Sequence, residues 1–372
     1  MKEYLQHLIR PNLVNYKGQR LDRKVIVFES DDWGSIRTTT NREYRNFKAT
    51  FGYFDNPYLK YDSLASNDDL YALYEVLRRF KDKNGNNPII TFNTVVGNPN
   101  FEKIKDCNYN EYFFEPFTDT LKRYYPSENI FELWKVGTKE GFIFPQFHGR
   151  EHVNVPVWLN LLQSGNKEMI NAFEFGTWST PKGKYPPIEV KLQASLDFIG
   201  NQPSKYQEGF IREGLDIFEK IFGFRSETMI ANNFILPTNL HAIIKKSNVR
   251  MIQGMKYQVQ PYGTNSKRNY IRRYFGNCDD DGLFFNIRNC SFEPSQTKDS
   301  FDDVGNCLKE IQNAFFWNKP AVISSHRLNF IGSIEEKNRT KNLEKLNLLL
   351  TEIIKRWPNV EFVSSDKLID IL

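Results

Sequence analysis

Eight short apolar runs, each rich in β-branched or aromatic residues, punctuate this chain: "KVIVF" (24–28), "PIITFNTVV" (88–96), "FIFPQF" (142–147), "ETMIANNFI" (227–235), "VRMIQGM" (249–255), "LFFNIRN" (283–289), "AVISS" (321–325) and "VEFVSS" (360–365). A run that is apolar at nearly every position has no wet face, so each reads as a strand covered on both sides. Helical patterns lie between many of them. "SNDDLYALYEVLRRFKDKNG" opens on a Ser66 cap with acids in its first turn and bases in its last, and "EEKNRTKNLEKLNLLLTEIIKRWPN" halts before Pro358. Strand and helix in alternation predict a parallel α/β architecture, and about eight strands suit a distorted (β/α) barrel better than an open sheet.

At 372 residues the chain exceeds the usual single domain, but barrels with insertions reach this size. Residues 1–372 therefore read as one barrel domain. It carries an expected insertion at about 166–222 and a long irregular connection at about 260–282. With 40% hydrophobic residues, 31 of them Phe, there is ample material for a core. The net charge of +5 is too small for a nucleic-acid footprint, and "RNYIRRYFG" (268–276) reads as a solvated basic loop. Neither a signal-type apolar segment at the start nor a run of about 18 apolar residues is visible, so a cytoplasmic protein without a membrane span is expected. Four scattered cysteines without a CxxC pair read as reduced thiols.

Chemistry has to come from elsewhere. "FESDDWGSIR" (28–37) puts Asp31 and Asp32 side by side where a buried strand leaves its core. Adjacent like charges need a cation or a proton for company, although a bare helix N-cap is the plainer reading of the pair alone. Of five histidines, His148 and His152 form "HGREH" after the third strand candidate, and His326 follows "AVISS". Four-residue spacing on a helical turn would set both imidazoles on one face. Because the C-terminal ends of parallel strands converge, three distant segments bring two carboxylates and three imidazoles together. One carboxylate with two neutral imidazoles suits Zn²⁺ or another divalent transition ion. His7 and His241 carry no such signal.

In these motifs and their order the chain resembles the polysaccharide deacetylases (carbohydrate esterase family 4, the NodB-homology fold). "ESDDWG", "HGREH" and "VISSH" are similar to that family's Asp-Asp pair, HxxxH and late histidine, and "EFVSSDKL" to its last strand and helix. The resemblance implies a distorted barrel that removes an N-acetyl, less often an O-acetyl, group from a sugar or polysaccharide precursor. It implies Asp31 as general base, His326 as general acid, and Asp32, His148 and His152 as ligands of a divalent metal, Zn²⁺ first with Co²⁺, Ni²⁺ or Mn²⁺ as alternatives. The chain departs from the family in having Trp33 between Asp32 and Gly34, and in "FRSETMIANNFILP" where the family has Arg-x-Pro-Tyr. Arg225, Asn232 and Asn233 are the candidates to support the base there, and the acids at 279–281 to orient His326. Trp33, Trp178 and Tyr185 are candidate faces for stacking a sugar ring.

Two other readings remain open. "HGREH" is also HxxEH, the inverted zincin signature, with Glu151 as base and Glu213, Glu219 or Glu227 as third ligand. A carbohydrate-binding barrel with a degenerate site is the non-catalytic alternative.

Overall fold

The structure, a computed structural model, describes residues 12–52, 56–182, 185, 190–200, 205–262 and 267–372. All eight apolar runs form strands. In chain order the main sheet contains β1 (Val25–Trp33), β2 (Ile90–Thr94), β3 (Ile143–Phe147), β4 (Thr228–Ile230), β5 (Met251–Gly254), β6 (Asn277–Cys278), β7 (Phe284–Ile287), β8 (Cys290–Ser291), β9 (Ala321–His326) and β10 (Glu361–Phe362). Their order is β6-β7-β5-β4-β3-β2-β1-β9-β8, with β10 beside the first residues of β1. Only β6 and β7 run antiparallel.

The expected barrel is corrected in one respect: among the described residues the ladder does not close. The sheet curls instead until a single segment meets both of its ends. Phe284–Ile287 pairs with β5, the Arg288 N–H donates to the Gly254 carbonyl (2.9 Å), the Asn289 N–H donates to the Val322 carbonyl (3.2 Å), and Cys290 and Ser291 pair with β9.

Helices cover the outer face. The helix α1 (Asn67–Arg78) starts in a full capping box between Ser66 and Asp69. Its Leu70, Leu73 and Leu77 pack with Leu346 and Leu350 of α4 (Glu336–Arg356), and with Ile311 of α3 (Asp303–Phe316), on Ile26, Phe28, Phe92 and Ile323 of the sheet. Between them in sequence, α2 (Lys205–Phe222) lays Phe210, Ile211, Leu215 and Phe218 on Phe147, Met229, Ile252 and Phe285.

The inner face is polar. Asn93 donates to Asp31 and Gln253, Gln253 to Thr228, and Thr228 to Gln146, all of them buried. Burial without exposure is tolerable here because each of these side chains has at least one partner, although Asn93 Oδ1 is left without one.

The connection expected to be irregular at 260–282 is partly a ribbon, Tyr257–Tyr262 antiparallel to Arg268–Arg272. No helix among the described residues is long and apolar enough to cross a membrane.

Candidate active site

Consecutive residues of a regular strand face opposite sides, yet Asp31 and Asp32 both reach the C-terminal end of the sheet. A bulge makes this possible. The β1–β2 register slips between Ser30 and Trp33, and Asp32 takes φ 71°, a left-handed conformation that Asp accepts more readily than most residues. Asp31 stays in register with His326 on β9. Trp33 turns inward, 1% exposed, stacked on Phe92 and edge-on to Trp134, with its indole N–H donating to Ser30 Oγ. It is a core residue, which corrects its reading as a sugar platform. Trp33→Ala is expected to lower the unfolding free energy by about 3–5 kcal/mol in chemical denaturation; a loss under about 1 kcal/mol would argue against that placement.

The two histidines of "HGREH" meet by a different route from the one expected. Residues 148–154 form no helix, and Gly149, at φ 114°, lies so close to Phe210 that a Cβ would stand 2.6 Å from its ring. This turn brings the two imidazoles within 5.3 Å of each other. His148 Nδ1 bonds the Ile230 carbonyl at 3.0 Å, so that nitrogen is the donor and Nε2 is the atom turned toward Asp32. His148 Nε2 and His152 Nε2 lie 3.3 and 2.9 Å from the same oxygen, Asp32 Oδ1. Burial pushes the His152 imidazolium down to about 4, so its ring is neutral at pH 7. Burial would raise the Asp32 carboxyl, but His152 and Arg37 beside it hold it well below the usual range. An ionised carboxylate and two imidazoles, with ligand atoms all within 4.8 Å of one another, fit a divalent transition ion.

Asp31 is held differently. Arg288 donates to both of its oxygens (2.7 and 2.6 Å) and through Nε to Glu29 (2.7 Å), while Asn93 donates to Oδ1. Burial favours the neutral acid, yet Arg288 outweighs it and keeps the carboxyl at about 2. His326 faces this carboxylate, Nε2 to Oδ2 at 3.9 Å, and its Nδ1 bonds Glu293 at 2.6 Å. Burial would favour a neutral ring, but Glu293 raises the imidazolium to about 9.

Several expectations are corrected by this geometry. The arginine beside the base is Arg288, whereas Arg225 bonds the Ser247 carbonyl, Asp216 and Glu219. The acid orienting His326 is Glu293, not the run at 279–281, where Asp279 instead bonds His241 Nδ1. A second acid-and-histidine group, His241 with Asp279 and Asp281, is also close-set. Both ring nitrogens of His241 are taken, by Asp279 and by Gln258, so it offers no lone pair to an ion. Asn232 supports the His148 backbone through its carbonyl (3.0 Å), and no side-chain bond ties Asn233 to either aspartate among the described residues. Trp178 has one neighbour stacked on it, His152, and another over it, Arg37, so it walls the site without presenting an open face. Tyr185 is buried beside Trp158 and Trp178, its hydroxyl donating to Thr180. Glu151 is fully buried against Arg150 and the Tyr206 hydroxyl, while Glu213, Glu219 and Glu227 pair with arginines; the third group at the histidines is Asp32. That removes the observations on which the inverted zincin reading depended.

Sequence reasoning passed over Arg37, Tyr58, Arg288 and Glu293. Arg288 ends a strand candidate as Asp31, His148 and His326 do, so the same positional rule would have found it.

No family model and no curated protein matches the sequence. Among solved structures it is similar to a polysaccharide deacetylase from Mycobacterium smegmatis, described there as putative, at TM-score 0.46, 10% identity, and coverage of 96% of this chain and 92% of that one. It is similar to Puue allantoinase at TM-score 0.44, 10% identity and coverage of 97% and 91%. It is also similar to 4-alpha-glucanotransferase from Thermococcus litoralis at TM-score 0.46 and 8% identity, covering 94% of this chain but only 40% of that enzyme. Likenesses this distant decide nothing about chemistry.

Proposed function

We propose that this chain is a metal-dependent hydrolase that removes the acetyl group from an N-acetylated, less often O-acetylated, sugar. The observation that carries the reading is the pairing of two unlike acid–base devices around one carboxylate cluster. Asp32 faces two imidazoles on one side, and an ionised Asp31 faces a protonated His326 on the other.

A divalent ion held by Asp32, His148 and His152 would polarise the acyl carbonyl and acidify water at the site. Asp31 is a weak base, because Arg288 stabilises its charge. It can accept a proton only from water whose own acidity has been raised, so base and cation belong together. His326 carries the opposite task. Glu293 on Nδ1 fixes the ring with Nε2–H facing Asp31, where it can protonate the departing amine.

Metal content by elemental mass spectrometry, followed by acetate release from N-acetylated sugars, tests the proposal. Protein that takes up no ion on incubation with Zn²⁺ would sink it. Glu293→Gln gives a sharper check on the acid. Without the carboxylate, burial, which favours the neutral His326 ring, has less to oppose it. The alkaline limb of the pH–rate profile, set by an imidazolium at about 9 and lower with a dication nearby, should then move down by one unit or more. An unmoved limb would remove His326 from the role of acid.

A further inference from the structure

Around Trp178, buried donors outnumber the acceptors that meet them. Arg37 is 1% exposed, its guanidinium 4.5 Å over the Trp178 ring and 5.4 Å over the Tyr58 ring. Its Nη2 donates to Asp32 Oδ2 at 3.2 Å, but Nε and Nη1 have no hydrogen-bond acceptor. The next carboxylate, Asp62, accepts from Arg327 through Oδ1 at 2.9 Å, and its Oδ2, itself without a hydrogen-bond partner, stays 3.7 Å from Arg37 Nε, an ion-pair distance that is too long for a hydrogen bond. His152, whose ring is stacked with Trp178, leaves Nδ1 without a partner, as does Ser179 at Oγ. Polar groups this deeply buried are seldom left unsatisfied without a reason.

Charge points the same way. Asp31, Asp32, Asp62, Glu29 and Glu293 face Arg37, Arg288, Arg327 and His326 in one connected cluster. A bound dication would turn one excess negative charge into one excess positive charge, and a buried net charge favours a counter-ion. Tyr58 joins the two halves of the site, its half-buried ring edge-on to His326 at 5.4 Å and under Arg37.

We infer that Arg37, with Trp178 and Tyr58 as walls, forms a subsite for an oxyanion carried by the substrate, so that the sugar accepted here is acidic. The inference rests on the sugar-deacetylase reading. A carboxylate on the sugar ring and a phosphate on a sugar phosphate share the required chemistry, an acceptor-only group for unpaired guanidinium donors. Arg37 is thus a specificity residue, distinct from the groups that move protons.

Calorimetric titration of the zinc-incubated protein with N-acetylglucosaminuronic acid, N-acetylglucosamine 1-phosphate and neutral N-acetylglucosamine tests this. At least one anionic sugar is expected to bind about 10- to 100-fold more tightly than the neutral one, and which of the two does so identifies the anion's source. Arg37→Met should erase the preference and Arg37→Lys retain part of it, with zinc content measured on each variant. Equal affinity of all three sugars for the unaltered protein, a preference that survives Arg37→Met, or no binding of any of them at millimolar concentration would overturn the inference. The titration needs no turnover. A protein with the preference but no acetate release fails the deacetylase reading alone, and one that releases acetate with equal affinities fails the subsite alone.

Discussion

Asp32→Asn is expected to weaken zinc binding by at least 100-fold and to reduce acetate release to about the background rate, with the fold intact. The size follows from the position of Asp32. Among the described residues it supplies the only carboxylate oxygen that faces both imidazoles, whereas removing a mere supporting group at a metal site usually costs about 10- to 100-fold. Asparagine is the informative replacement because Asp32 occupies φ 71°, a conformation that Asn shares with Asp at little cost but that strains alanine by roughly 1 kcal/mol or more. Loss of metal from an alanine variant could therefore report a distorted bulge. Loss from the asparagine variant reports the missing charge. Elemental analysis with circular dichroism separates the two, and undiminished zinc affinity would rule out the site.

The second large effect is on stability. Arg288→Met should lower the unfolding free energy by about 3–5 kcal/mol at neutral pH, because it strands two carboxylates, Glu29 and Asp31, that are almost wholly buried. The pH dependence gives the mechanism away. In the unaltered protein Asp31 titrates at about 2, below its unfolded value of about 3.9, so its contribution is present above pH 4 and is lost as pH falls toward 2. Without Arg288, burial dominates and the folded carboxyl rises above the unfolded value. The sign then reverses: the variant's deficit is greatest at neutral pH and shrinks as the solution is acidified toward pH 4. Urea unfolding between pH 4 and 7 measures this, and a deficit that does not change with pH would show that Arg288 acts by packing and not by charge.

The strands were legible in the sequence because each is apolar over several residues, and so were the start of α1 and the end of α4, which are written in Ser66 and Pro358, although α1 stops at Arg78, short of Gly85 where its pattern runs out. The site was legible in part. Asp31, Asp32, His148, His152 and His326 could be brought together by the rule that parallel strands converge, and they do lie together. How Asp31 and Asp32 come to share one end could not be read, since a bulge is a property of two paired strands and its signature is a register slip against β2. The helical spacing of "HGREH" was misleading for a similar reason, as Gly149 turns the chain where a helix would have continued. Arg288 stands near the end of the run "LFFNIRN", whose apolar residues signal a strand but not the partners that an arginine there would have. The inner face of the curled sheet is a polar network, and an arginine is at home there only once Glu29 and Asp31 face it. Trp33 shows the converse error, in which an aromatic residue beside an acid suggested a ligand face although its partners, Phe92 and Trp134, lie far away in sequence.

The order of assembly follows from where the neighbours of β1 lie. Strands β9 and β10 flank it, and the Ser365 hydroxyl that bonds Glu29 is 336 residues further along. A ribosome delivers the acidic strand long before the segments that will shield it. Until they arrive, Glu29, Asp31 and Asp32 are three neighbouring negative charges on an unpaired edge, and their mutual repulsion keeps that edge in water and away from other nascent strands. The same acids to which the proposed function gives chemical roles can thus act during synthesis as protection against premature pairing, and the last strands to emerge complete the sheet and set His326 beside Asp31.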